Sequence, residues 1–290
     1  MWQLRELLAQ GDVDAVNDEI ARSNARDTGP RDPLTASFAC NVQAMMALVN
    51  GDFEEGERLA PLGIELAEGY NELAMSLYGV LLAWTWWQQD RLADLEDTFR
   101  SILDQSPADY PVVRAAMALL LSELGRTDEA MAELDYLAGL GWETVSDDQT
   151  EGVSLAFVAA ACAGAGADGH AQAVYERMRP YAGTAIVVRA PGSACLGPAD
   201  LYLGLLASVS GDTKLAEVHF EAALRLARRM RAAPFIAAAE LELARTLRKG
   251  GRESDQEQIA TLLRNAEESA QRMGLSRIQR LAVSVSASRR

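Results

Sequence analysis

The stretch 201–230, LYLGLLASVSGDTKLAEVHFEAALRLARRM, reads as two helical patterns joined by a Gly211-Asp212 turn. Gly204, Ala207, Ala216 and Ala223 are small enough to let two antiparallel helices approach closely. Phe220 is placed to fill the gap toward a following unit. One such hairpin cannot bury its apolar face alone, so the stretch predicts neighbours built the same way.

Those neighbours are legible on either side. The turn recurs at Gly11-Asp12, Gly51-Asp52, Asp90-Arg91, Gly125-Arg126, Gly166-Ala167, Gly211-Asp212 and Gly250-Gly251, at intervals of 40, 39, 35, 41, 45 and 39 residues. Each turn lies between two helical patterns, with Pro33, Pro111, Pro198 and Pro234 at or near helix starts. No strand-like alternation is long enough to propose a sheet. The expected fold is all-α, a single right-handed superhelical solenoid of about seven hairpins over residues 1–290. Residues 1–30 read as an incomplete first unit. Residues 183–197 read as a long inter-unit loop with a β-prone run, Ile186-Val187-Val188; it is either a functional excursion or a loop packed over a helix end. Residues 276–290 read as a capping helix and tail.

Composition narrows the function. Of 290 residues 49% are hydrophobic, so a large core is available. A net charge of −15 argues against a nucleic-acid surface and against docking on anionic lipid. The acidity serves solubility or attracts a basic partner. No apolar run is long enough to span a bilayer, and the N-terminus lacks a signal-peptide core, so a cytoplasmic protein is expected. Cys40, Cys162 and Cys195 are odd in number and far apart, which argues against a disulfide framework. Cys40 and Cys162 fall on apolar helix faces, and Cys195, in the expected loop, is the one predicted to be exposed.

The small and aromatic residues of 203–223 resemble the tetratricopeptide repeat. Matching offsets recur at Ala44, Gly51, Phe53 and Gly56, at Ala83, Leu95 and Phe99, at Ala118, Gly125 and Ala130, and at Ala159, Gly166, Ala171 and Tyr175. Over roughly residues 30–280 the chain also resembles the tetratricopeptide-like C-terminal region of large bacterial MalT-like, LuxR-type ATP-dependent regulators. That resemblance implies an array that senses a ligand or partner and controls an ATPase. The chain departs from the family by lacking a G-x-x-x-x-G-K-[ST] phosphate loop and a basic helix-turn-helix. It reads as a stand-alone relative or as a piece of a longer protein, and the incomplete first unit leans toward the latter.

Catalytic signals are thin. His170 and His219 are 49 residues apart and read as surface or helix-packing histidines; no Cys and His have zinc-ligand spacing. No catalytic residue, cofactor or metal is expected, and Asp147-Asp148 reads as a helix start. The better signal is the concave face, which should include Asn41, Met45, Val80, Trp84, Trp87, Ala115, Leu119, Leu201 and Leu205. Within Trp84-Thr85-Trp86-Trp87, Trp86 falls on the packing face while Trp84 and Trp87 share the other. These two form either an aromatic shelf for an apolar ligand or partner, or the filling of a narrow superhelix. The expected function is a non-catalytic protein- or peptide-binding scaffold in bacterial signalling or regulation. The alternatives are a ligand-sensing regulatory module taking a small apolar ligand and, third, an enzyme with a solenoid pocket.

Overall fold

Hairpin follows hairpin along the computed structural model, which describes residues 2–26, 33–67, 72–105, 110–143, 145, 150–188 and 194–287. Asp147, Asp148, Pro191, Gly192 and the tail 288–290 lie outside the described residues. The first helices are α1 (Trp2–Ala9), α2 (Val13–Arg26), α3 (Pro33–Asn50), α4 (Phe53–Ala67), α5 (Glu72–Gln88), α6 (Glu96–Gln105), α7 (Pro111–Glu123) and α8 (Thr127–Leu140). They continue as α9 (Glu151–Ala165), α10 (Asp168–Met178), α11 (Ala199–Val209), α12 (Thr213–Arg229), α13 (Ala233–Gly250), α14 (Gln256–Met273) and α15 (Ser276–Ala287). The protein is all-α apart from one small ribbon, and no helix among the described residues is long and apolar enough to cross a membrane.

The repeated Gly-Asp dipeptide has a local cause. At Gly11, Gly51 and Gly211 the backbone takes a positive φ that ends one helix. The following Asp12, Asp52 and Asp212 then accept hydrogen bonds from the backbone N–H of Ala15, Glu55 and Leu215 at 3.0–3.1 Å, capping the next. Two residues thus stop one helix, start another and reverse the chain. Tight pairing follows from the small residues: a Cβ on Gly204 would lie 2.6 Å from the ring of Phe220. Within this pattern α3 packs on α4, α7 on α8, α11 on α12 and α13 on α14, while α7, α9 and α11 stack side by side.

The first third of the chain also packs against the last. α3 touches α13, α5 touches α15, and Trp84 of α5 meets the ring of Phe235 in α13 at 5.4 Å. Arg231, after α12, pairs with Asp14 of α2, and Arg229 donates to the carbonyl of Gln10. One continuous hydrophobic core results, running from Leu8 to Val285.

The 183–197 segment departs from the expected loop. It holds a two-stranded antiparallel ribbon, β1 (Ala185–Val187) and β2 (Cys195–Pro198), with a register irregularity between Ile186 and Val187. Both strands are buried along their whole length, so neither shows the alternation by which a strand is recognised. The ribbon packs between α1 and α9 on one strand and α3, α11 and α12 on the other. Cys195, expected to be exposed, is instead buried, and burial pushes its thiol up to about 12.

Candidate functional site

Eight of the nine residues predicted for the concave face are buried: Asn41, Met45, Val80, Trp84, Trp87, Ala115, Leu119 and Leu201; Leu205 is half-buried. α5 explains why. From Val80 to Gln88 nearly every residue is enclosed, so this helix has no free face on which to display an aromatic. Trp84 is 2% exposed, stacked on Phe53 at 5.8 Å on one side and tilted against Phe235 on the other. It is part of the core, and Trp87 is likewise buried. Trp86 is half-buried, with the guanidinium of Arg91 4.7 Å over its ring.

Trp84, Trp87, Leu201 and Leu205 do come together, around a void of about 20 Å³ closed by Phe235, Arg277 and Ile278. That is room for one water and for no apolar ligand. The other five predicted residues line neither this void nor the cleft beside it.

The cleft measures about 550 Å³. Ala160, Ala163 and Gly164 of α9 give it a smooth wall, Leu205 and Ser208 of α11 a second, and α13 supplies Glu242, Arg245 and Lys249. Arg277, Arg280 and Leu281 of α15 form the remaining side. Of the residues predicted from sequence, only Leu205 is on this surface. Most of the charged groups were missed because they belong to α13 and to a helix expected to cap an open end. A signal was present: Ile278, Ala282 and Val285 recur at helical spacing, so α15 has an inward face, and Arg277 and Arg280 flank it.

Electrostatics at the cleft centre on Glu123, at the end of α7. Its Oε1 accepts from the indole N–H of Trp87 at 2.8 Å and from Nε of Arg277 at 2.7 Å; its Oε2 accepts from Arg280 at 2.9 Å. The Arg277 guanidinium also lies 4.4 Å over the ring of Trp87. Burial pushes the Glu123 carboxyl up, but the charge of Arg277 and the three donors outweigh it and hold the group at about 2. Arg280 forks onto both oxygens of Asp90 at 2.7 and 2.8 Å. Arg245 pairs with Glu242 at 2.8 Å. Lys249 donates to the Ser208 hydroxyl at 3.4 Å and has no carboxylate within ion-pair distance among the described residues.

A second polar chain lies elsewhere. Buried His219 holds Asp200 Oδ1 at 2.8 Å through Nδ1 and the hydroxyl of Tyr175 at 2.8 Å through Nε2. A carboxylate only accepts, so Nδ1 donates to Asp200. The other Asp200 oxygen accepts from the N–H of Gly183 at 2.7 Å, tying the ribbon's approach to α11 and α12. Neither the void nor the cleft includes these three residues. His170 pairs with Asp135 at 2.8 Å and sits edge-on to Trp142. Among the described residues no group of three or more His, Cys, Asp or Glu could hold a metal ion.

No protein-family profile matches the chain, and no curated protein matches it in sequence.

Proposed function

We propose that the chain is a non-catalytic binding module, a right-handed tetratricopeptide-like solenoid of about seven hairpins. It holds a protein or peptide segment in bacterial signalling or regulation, in the cytoplasm. The observation that carries this reading is the 550 Å³ cleft between α7, α9, α11, α13 and α15. The rest of the expected concave face is filled by the protein's own side chains, so a partner segment has this opening to enter. Small residues on α9 admit a backbone closely, Leu205 and Leu281 offer apolar contact, and the charged rim orients the segment. Close pairing of Gly204 with Phe220, and hairpins stacked in chain order, support the tetratricopeptide-like geometry.

The experiment is capture of partners from the source cell by the wild type and by Ala163→Arg, which fills the cleft from a half-buried position without touching the core. Loss of a specific partner with unchanged thermal stability is expected. A partner set identical for the two chains would remove the cleft from the reading.

One observation favours a second reading. Lys249 faces the cleft without a carboxylate partner among the described residues, and the volume is that of a small-molecule pocket. A ligand-sensing module that takes a small anionic molecule there, and regulates a transcription factor or signalling ATPase, would lose binding on Lys249→Met.

A further inference from the structure

α15 is held onto the first half of the chain by polar contacts over long sequence distances. Its inward residues Ile278, Ala282 and Val285 are buried, yet Val283 is 65% exposed and half of the helix faces solvent. By contrast α9 buries every residue from Val153 to Cys162. The polar anchors of α15 reach back across the chain: Arg277 to Glu123, 154 residues away, and Arg280 to Asp90, 190 residues away. A helix of 12 residues does not hold itself together in water, so its helicity depends on the surface beneath it. Elements with few buried residues open first, and α15, like α6, α8 and α10, buries three or fewer.

That surface has the character of a binding site. Trp87 and two carboxylates, Glu123 and Asp90, receive two arginines spaced three residues apart, beside an apolar bed; Trp and Arg are the residues that dominate interface energetics. Asp90 is unusual in its own right. Six of the seven hairpin turns named above carry glycine, and the third carries Asp90 at φ +61°. A backbone strain of that kind persists where the side chain has a use. Moreover, Arg277 lines both the 20 Å³ void and the 550 Å³ cleft, as do Leu205 and Glu242, with Ile278 facing the first and Arg280 and Leu281 the second. Were α15 to leave, the two would merge into one groove, exposing Trp87 and Leu201 beside Leu205, which already faces the cleft.

We infer that α15 is a displaceable occupant of this groove, and that the partner which replaces it is a basic amphipathic helix presenting two arginines three residues apart. The inference rests on the reading of the chain as a partner-binding module, and adds the partner's chemistry and the means of its control. Charge complementarity supports it: α15 contributes two cations to a chain of net charge −15, and the groove it covers presents Asp90 and Glu123. α15 serves as the intramolecular copy of the partner.

The test uses the full chain and a fluorescent peptide of the sequence of residues 274–287. In the chain, Arg280→Gln loosens α15 while leaving the acidic wall intact. Hydrogen exchange is expected to show faster exchange in α15 alone, and the variant to bind the peptide roughly tenfold tighter than the wild type. Adding Asp90→Asn to the variant, or replacing both arginines of the peptide by glutamine, is expected to abolish the gain. Two results overturn the inference. One is an α15 that stays as protected as in the wild type in both Arg280→Gln and Arg277→Gln/Arg280→Gln chains, which makes it fixed core. The other is an α15 that opens while the peptide binds no better, or binds equally without its arginines. Either result, with partner capture still blocked by Ala163→Arg, removes this inference and leaves the cleft reading standing.

Discussion

Asp90 and Arg280, 190 residues apart in the chain, meet in a two-pronged ion pair that ties the turn after α5 to the last described helix. Among the described residues only Asp90 and Arg231 take a positive φ without being glycine. Both spend their side chains on the same task, because Arg231 pairs with Asp14 across the opposite seam. At two turns where glycine would be conformationally easier, the chain carries a charge that closes early hairpins onto late ones.

Exchanging Asp90 separates these two effects. Asn tolerates the left-handed conformation but cannot form the ion pair, so Asp90→Asn should speed amide exchange in α15. The pair is partly exposed, so the global stability change should stay within about 1 kcal/mol. Asp90→Gly should loosen α15 equally while gaining up to about 1 kcal/mol from relief of backbone strain. Exchange of α15 unchanged in both variants would show that the pair does not hold the helix.

Trp84 is predicted to act through stability. It is enclosed by Phe53 and Phe235, and Trp84→Ala would leave a large cavity where α5 meets α13. The expected loss is about 3–5 kcal/mol, read from the urea midpoint. A loss below about 1 kcal/mol would mean that the site collapses or that the ring is not enclosed in solution.

Glu123 makes stability depend on pH in acid. Its folded carboxyl is held at about 2, below its ordinary value of 4.5, so its contribution is complete above about pH 4.5 and is lost as pH falls through about 2. The full linkage is on the order of 3 kcal/mol. Wild type and Glu123→Gln should therefore differ most in urea midpoint near pH 6 and converge toward pH 2. A difference independent of pH across that window would contradict the arrangement around Arg277.

Gly204 tests the close approach of α11 and α12. A methyl group there would sit 2.6 Å from the ring of Phe220, so Gly204→Ala should destabilise by about 1–3 kcal/mol despite its better helix propensity. Gly204→Ala with Phe220→Leu should recover part of the loss. Additive losses in the double variant would show that the two positions are not in contact.

Hairpin positions were readable because their causes are local. A Gly-Asp pair ends one helix and caps the next, and the intervals between turns are helical except where the ribbon lies. The last helix, begun at Ser276, follows Gly274, whose positive φ ends α14. The ribbon was not readable, since two short strands buried on both faces carry no period-two pattern and look like the apolar residues of any interior.

The candidate site was legible only in part, and for a physical reason. Periodicity says which side of a helix is apolar, but α5 is apolar all round, so nothing in Trp84-Thr85-Trp86-Trp87 indicates which ring another helix will cover. That Trp84 became core depended on Phe235, 151 positions later. The hairpins, their turns and the net acidity were open to a reading of the chain alone, because backbone conformation, capping and net charge are properties of neighbouring residues or of sums. Long-range packing settled that the first hairpins meet the last, that α15 lies over Trp87, and that Glu123 accepts from two arginines. Those pairings join residues more than a hundred positions apart, and they are selected by burial and charge in three dimensions rather than by any local rule.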